Sequence, residues 1–226
     1  MAIKNQKPPR SPGRPTATGG IVARDRLLDA TFSLIAEQGV AATSIAQIAA
    51  RARVTPAMVH YYFRNRESLL DAVVAERLAF VISKVWGPVE VNDDPFALVE
   101  GLVRRFADVV TGMPQLPALW LREIISDGGL LRNRVLNHLP FDKLALLNDA
   151  IVRGQQAGDI NPKLDAQYMF LSIMGLIMMP LAVSALFERI THQHLDTGAL
   201  VEHVIALLRH GMDVPTCPTP LRGEKS

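Results

Sequence analysis

A sharply marked pair of short helices within residues 43–70 constrains the fold of this 226-residue chain more than any other feature. Ser44 and Gln47 have the spacing of a capping box, Thr43 is an equally good cap, and a tight turn follows at Arg53. Between the cap and the turn, the apolar residues recur at the spacing of one helical face: Ile45, Ile48, Ala49 and Ala52. This face is small, which suits close packing of one helix on another.

The second helix of the pair is predicted to begin at Thr55 and Pro56. Thr55 can accept a hydrogen bond from the first free amides, and Pro56 at the first helical position loses no hydrogen bond. The helical period turns Val59 and Phe63 inward. Ala57 and Tyr61 then point outward, and the flanks of this outer face are formed by Pro56, Met58, His60 and Tyr62. An outward aromatic edge beside small residues suits a nucleic-acid groove.

The flanking segments complete a three-helix domain over residues 21–77. An amphipathic helix precedes the pair, Gly39 stands where a left-handed residue closes it, and its apolar face carries Leu27, Leu28, Thr31, Leu34 and Ile35. Arg64 and Arg66 bracket the start of the next helix, where basic side chains and exposed amides can hold a DNA phosphate.

Charge divides the chain in the same place. Residues 1–77 have a net charge of +5 and residues 78–226 a net charge of −3. Residues 1–20 are rich in proline, glycine and basic residues, which predicts a disordered basic arm. Arg14, in a short Gly-Arg-Pro core, can enter a narrow A·T-rich minor groove; the alternative is a solvated tail that adds only non-specific affinity.

The rest of the chain predicts one larger helical domain over residues 78–212 and a flexible tail over 213–226, so the fold class is all-α. Proline, glycine and asparagine positions predict helices over about 94–112, 117–127, 130–156 with an interruption at Pro140, 161–190 through Pro180, and 198–210.

The segment Ala166–Phe187 has no charged residue, which leaves two interpretations open. Its length would span a bilayer. Asp165 and Glu188 stand at its ends, however, where a membrane span would have anchoring cations. A helix buried by its own domain on one face and by a second subunit on the other explains the pattern without a membrane. The last helix, with Leu200, Val204, Leu207 and Leu208 on one side, is predicted to complete the dimer interface.

Residues 24–70 resemble the N-terminal domain of the TetR family of bacterial transcriptional regulators. The resemblance rests on LLDATFSLIAEQGVAATSIAQIAARARV, on the aromatic run from His60 to Phe63, and on RNRESLL. GQQAGDI, from Gly154 to Ile160, resembles the turn before the dimer helices of the family. Two residues depart from the family pattern: Arg53 replaces a glycine in the turn, and His60 replaces a tyrosine that often touches the DNA backbone.

The resemblance implies a cytoplasmic homodimeric repressor that binds palindromic double-stranded DNA and is released by a small-molecule effector. The expected DNA contacts are Thr43, Ser44, Thr55, Pro56, Ala57, Met58, His60, Tyr61, Tyr62, Arg64, Arg66 and Arg14. Composition points to an apolar or aromatic effector in a cavity of the C-terminal domain. The expected ligand contacts are Phe106, Met113, Trp120, Glu123, His138, Met169, Met174 and Met178, although methionines at helical spacing are also ordinary core residues.

Other chemistry is not indicated. Cys217 is the single cysteine, and His192 and His194 lack further ligands at metal-binding spacing. We find no catalytic motif, and expect no enzyme activity, no metal and no cofactor. Two alternatives remain at this stage: a membrane-associated regulator anchored by residues 166–187, and an all-helical small-molecule binding protein without DNA function.

Overall fold

The computed structural model describes residues 17–87 and 94–215, in which every regular element is a helix. The N-terminal helices are α1 (Ala17–Gln38), α2 (Ile45–Ala52), α3 (Pro56–Tyr62) and α4 (Arg66–Val73). Helix α4 continues through a π-helical segment, Val74–Leu78, into α5 (Ala79–Trp86). The predicted all-α fold is confirmed, while Arg14 and Cys217 lie outside the described residues.

The C-terminal helices pack around α6. They are α6 (Pro95–Gly112), α7 (Leu116–Trp120), α8 (Arg132–Leu136), α9 (Phe141–Ala157), α10 (Ala166–Ala182), α11 (Ser184–Thr191) and α12 (Thr197–Met212). Helix α6 contacts α5, α9, α10 and α12. A second π-helical segment, Leu121–Ile125, follows α7 directly and is called the π-turn below.

Two hydrophobic cores meet at α1. The first, inside the N-terminal domain, buries Leu27, Leu28 and Val59. The second fills the C-terminal domain and also takes in Ile35 and Val40 from the end of α1 and the turn after it. Because the middle of α1 belongs to the first core and the end of α1 to the second, α1 packs against both domains.

Several predicted helix ends were wrong. Residues 17–20, which were predicted to belong to the disordered arm, are part of α1. The predicted interruption of the segment 130–156 at Pro140 is confirmed, however, because α8 ends at Leu136 and α9 begins at Phe141, directly after Pro140. Helix α10 begins at Ala166, because the Asn161 side chain accepts the Lys163 amide in a turn and Asp165 caps the helix instead.

The long apolar segment is broken. Pro180 lies inside α10 and has no N–H to donate, and the chain bends by 56° between α10 and α11. Among the described residues no single helix is long and apolar enough to cross a membrane, and only this bent pair meets the length and composition criteria together.

Candidate nucleic-acid interface and internal cavity

Helix α2 and its turn form as predicted. The Ser44 hydroxyl accepts the Gln47 amide at 3.2 Å, and the Gln47 side chain accepts the Ser44 amide at 2.7 Å, which completes the capping box. Arg53 occupies the left-handed region, with φ of 57° and ψ of 45°. The arginine therefore keeps the turn that glycine would adopt more easily, because the Val54 amide still reaches back to the Ala49 carbonyl at 2.9 Å.

Helix α3 presents the predicted outer face. Val59 and Phe63 are buried, Ala57 and His60 are exposed, and the Tyr61 side chain is 78% exposed. Tyr62 is half-buried beneath Tyr61, with ring centroids 5.1 Å apart and an interplanar angle of 81°. A projecting tyrosine supported by a second ring can thus enter a groove. Pro56 is also exposed and Met58 is half-buried.

Thr43 and Thr55 differ from expectation. The Thr43 side chain is buried and its hydroxyl donates to the Gly39 carbonyl at 2.7 Å, so it stabilises the α1–α2 turn and does not face solvent. Thr55 has the extended backbone of a cap, but its side chain accepts no capping hydrogen bond.

Arg64 and Arg66 are both exposed, but the Arg66 guanidinium is hydrogen-bonded within the domain. The Arg66 guanidinium donates to the carbonyls of Val40 and Thr43, the latter at 3.1 Å. It therefore ties the start of α4 to the α1–α2 turn, a tertiary role that local spacing does not reveal. The Asn65 side chain, which accepts the Ser68 amide at 2.8 Å, caps α4.

Surface ion pairs hold α1 against the helix that follows α4. Arg24 donates twice to Glu76, at 2.8 and 2.6 Å, and Arg77 contacts Asp29 at 2.7 Å. The hydrogen bonds from Arg24 lower the pKa of the Glu76 carboxyl below its usual value. These contacts join α1 to the π-helical segment Val74–Leu78.

The C-terminal domain contains a small apolar cavity of about 40 Å³. Its centre is an aromatic cluster: Phe170 lies 5.0 Å from Trp86 and 6.1 Å from Phe106 between ring centroids. The lining residues are Leu78, Val81, Ile82, Val85, Trp86, Phe106, Val109, Leu116, Trp120, Val135, Leu139, Phe170, Met174 and Met178. Both tryptophans of the chain belong to it.

An apolar groove of about 490 Å³ adjoins this cavity and opens to the surface. Six residues line both spaces: Trp120, Val135, Leu139, Phe170, Met174 and Met178. Ile125, Leu136, Leu171 and Met179 line the groove and are exposed. Cavity and groove together form one apolar site with a hydrophobic rim, and the groove volume is within the usual range for small-molecule sites.

The sequence predicted only part of this lining. Phe106, Trp120, Met174 and Met178 line the cavity as expected. Met113, Met169 and His138 do not line the cavity or the groove, and His138 is exposed. Phe170, Met174 and Met178 follow one another at four-residue spacing, so the helical stripe that contains them faces the cavity. Met169 lies on the neighbouring stripe, in the core.

Glu123 is likewise absent from the lining and lies between the two domains. Its side chain, 5% exposed, accepts the Val40 amide at 3.0 Å. The adjacent Arg122 donates to the Ile35 carbonyl at 2.8 Å and to the Ala36 carbonyl at 3.2 Å. The apolar site therefore offers no buried carboxylate, and an uncharged ligand portion fits it best.

Comparison with known proteins agrees with this arrangement. Residues 27–73 match the model of bacterial regulatory proteins of the tetR family, and residues 95–210 match the tetracyclin repressor-like C-terminal domain. The HTH-type transcriptional regulator BetI of Rhizobium meliloti (strain 1021) is 31% identical over 100 residues, which cover 44% of this chain and 49% of BetI. The chain thus spans about half the length of that relative.

Longer similarities have lower identity. The fatty acid metabolism regulator protein of Bacillus subtilis (strain 168) is 22% identical over 187 residues, covering 83% of this chain and 94% of the relative. The crystal structure of FadR from Bacillus subtilis in complex with stearoyl-CoA superposes with a TM-score of 0.60 at 21% identity, over 83% of this chain and 98% of that one. At this identity the superposition supports the fold. With both of its domains matched by family models, the chain belongs to the TetR family, whose members are ligand-responsive, DNA-binding transcriptional regulators and not enzymes.

Proposed function

We propose that this regulator is a homodimeric repressor that reads a palindromic operator with α3 and leaves it when an apolar ligand occupies the groove. The observation that carries the DNA part is the exposed edge of α3, where Ala57 and Tyr61 project from the helix surface. Helices of this kind contact base edges in the major groove. Such a role places the protein with the chromosome, in the cytoplasm.

The introduction of negative charge tests the proposed DNA-reading surface of α3. Ala57→Glu with Tyr61→Glu puts two carboxylates against the DNA and is expected to abolish selective binding while circular dichroism stays unchanged. Phe141→Glu with Ala145→Glu is the matched control, because these exposed α9 residues are also an alanine and an aromatic residue four positions apart. Equal operator affinity of the two double variants would exclude α3 as the reading helix.

Dimerisation is proposed through the exposed apolar faces of α10, α11 and α12. These helices expose Tyr168, Leu171, Met179, Leu186, Phe187, Ile190 and Leu207. Of the four α12 residues predicted for this face, Val204 and Leu208 are buried in their own domain and Leu200 is half-buried, which leaves Leu207 exposed. Helix α10 contacts both α11 and α12, and exposed apolar side chains on neighbouring helices are typical of an interface.

Leu207→Glu tests the dimer. A charge in a closely packed apolar interface is expected to convert the protein to a monomer in sedimentation velocity experiments. Phe141→Glu adds the same charge at another exposed apolar position, 61% exposed on α9, and is expected to leave the dimer intact. A dimeric Leu207→Glu variant would place the interface elsewhere.

The proposed effector is a ligand with a long hydrocarbon chain. The rim and lining of the groove are dominated by aliphatic, methionine and aromatic side chains, and burial of such a chain contributes about 0.8 kcal/mol for each methylene. The FadR relative was crystallised with stearoyl-CoA, a molecule with such a chain. Support for this class therefore comes from the groove chemistry and from the relative together.

Stearoyl-CoA and free CoA separate the effect of the chain from that of the head group. Stearoyl-CoA is expected to change the fluorescence emission of Trp86 and Trp120 and to dissociate the operator complex, and CoA is expected to do neither. Ile125→Gln at the rim should weaken stearoyl-CoA binding, whereas Phe141→Gln, outside the groove, should not. Equal responses to both compounds would contradict a hydrocarbon site.

A further inference from the structure

The π-turn has two faces with different partners. Leu121, Ile124 and Ile125 line the apolar groove, and Trp120, immediately before the turn, lines both groove and cavity. Arg122 and Glu123, between them in sequence, point to the end of α1 in the N-terminal domain. A five-residue segment thus touches the proposed effector site and the DNA-binding domain at once. Single-turn π-helical segments are frequent at functional sites.

The contacts on the α1 side are specific. Arg122 donates to the Ile35 and Ala36 carbonyls, which lie in the last turn of α1 and carry the negative end of the helix dipole. Glu123 accepts the Val40 amide at 3.0 Å and the Leu130 amide at 3.4 Å. Arg122 therefore binds carbonyls at the end of α1, and Glu123 binds the Val40 amide just after α1. Together the two side chains bind consecutive parts of the α1–α2 junction.

The junction is also in direct contact with the pair. Gly39 has a φ of 89°, and a Cβ atom there would lie 2.8 Å from Arg122 Nε and 2.9 Å from Glu123 Oε1. Only glycine allows both the backbone angle and this approach. A shift of the π-turn is therefore passed to the junction without an intervening gap.

Val40 connects Arg122 and Glu123 to the reading head, by which we mean the helices α2, α3 and α4. Its amide is held by Glu123 of the C-terminal domain, and its carbonyl is held by Arg66 at the start of α4. Arg66 also holds the Thr43 carbonyl, directly before the cap of α2. Moving Val40 therefore disturbs the starts of both α2 and α4, the two helices that flank α3.

We infer that the π-turn transmits the occupancy of the groove to the reading head, with Arg122 and Glu123 as positioning residues; this rests on the proposed effector site. The cavity of about 40 Å³ is too small for a hydrocarbon chain as it stands, so a chain that extends into it must displace lining residues next to the π-turn. The displacement draws Glu123 from Val40 and releases the junction. The angle between the two domains is then no longer fixed. In a dimer, the two reading heads consequently lose the spacing that one operator requires.

The test measures coupling separately from binding. Operator affinity is compared with and without saturating stearoyl-CoA, and stearoyl-CoA affinity is measured directly by tryptophan fluorescence. The wild type is expected to lose about tenfold or more in operator affinity, within the usual range of allosteric coupling. Arg122→Met and Glu123→Ala are expected to bind both partners and to reduce this factor to about threefold or less. Glu123→Gln, which keeps an acceptor for Val40, should restore most of it.

Arg104→Met is the matched control. Arg104 pairs with Glu100 and Glu202 between α6 and α12, away from the junction, and its loss should leave the coupling factor unchanged. A wild-type coupling factor in Arg122→Met and Glu123→Ala would overturn the inference.

A double-mutant cycle provides a second test, which does not depend on the identity of the effector. Met174→Trp and, separately, Val109→Phe add bulk to the cavity and are expected to weaken operator binding about fivefold or more, but not when combined with Glu123→Ala. If stearoyl-CoA fails to act on the wild type while this cycle shows the expected coupling, the effector class is wrong and the transmission is right. If the effects of the cavity substitutions and of Glu123→Ala on operator affinity are additive, the inference that the π-turn transmits groove occupancy is wrong.

Discussion

Replacing Gly39 by alanine places a methyl group where the Arg122 and Glu123 side chains already lie. Two costs are expected. The first is the left-handed backbone, because φ at Gly39 is 89° and a non-glycine residue there costs about 1–2 kcal/mol. The second is contact, because the new Cβ lies less than 3 Å from Arg122 Nε and Glu123 Oε1, at 2.8 and 2.9 Å.

The contact cannot be relieved without loss. Both side chains are held by hydrogen bonds, Arg122 to the Ile35 carbonyl and Glu123 to the Val40 amide. A hydrogen bond to a charged group contributes about 1.5–3 kcal/mol, so losing one of them brings the total destabilisation of Gly39→Ala to about 2.5–5 kcal/mol.

Gly158→Ala supplies the matched control. Gly158 closes α9 with a φ of 83°, but a Cβ atom there meets no atom within 4 Å. Its replacement therefore carries only the backbone cost of about 1–2 kcal/mol. Urea unfolding of both variants at one protein concentration gives the difference in the free energy of unfolding. We expect a difference of about 1.5 kcal/mol or more; equal destabilisation would refute the contact between the π-turn and the junction.

Three further predictions concern single contacts. Arg53→Gly relieves the left-handed turn of α2 and is expected to raise the free energy of unfolding by about 1 kcal/mol in urea titrations, and a destabilised variant would contradict the turn geometry. Asp94→Ala removes the cap of α6, which accepts the Ala97 amide at 2.9 Å, and should lower the thermal midpoint by an amount equivalent to about 1 kcal/mol. The pKa of Glu76 is lowered in the folded protein, so the Arg24 pair stabilises above the ordinary pKa of 4.5 and this contribution is lost as pH falls through the lowered value. Glu76→Gln should accordingly be less stable than the wild type at neutral pH, by under about 1 kcal/mol for so exposed a pair, and equal to it in acid; a constant difference across pH would contradict this.

Local signals predicted the N-terminal helices well. The capping box at Ser44, the proline after Thr55 and the glycine after α1 act over a few residues, so their effects can be read without knowing the fold. Helix α6, between Asp94 and Gly112, followed from the same kind of signal. The outer and inner faces of α3 followed from helical period alone.

Tertiary roles could not be predicted in this way. Arg66 and Glu123 have partners 26 and 83 residues away in sequence, and no spacing rule connects them. Phe170 was not predicted to line the cavity, because composition indicated methionines. The packing of α10 decides which of its faces lines the cavity. The break after Pro180 likewise depends on how α10 packs against the domain, since proline inside a helix can either bend it or be accommodated.

Selection from a random pool of duplex DNA tests the central claim most directly, because it requires no knowledge of the natural operator. The wild-type protein is expected to enrich a palindrome whose half-sites are centred about 10 base pairs or a multiple of that apart, and the Ala57→Glu, Tyr61→Glu variant is expected to enrich none. Uniform recovery of all sequences by the wild type, or an identical motif from both proteins, would contradict reading of DNA by α3.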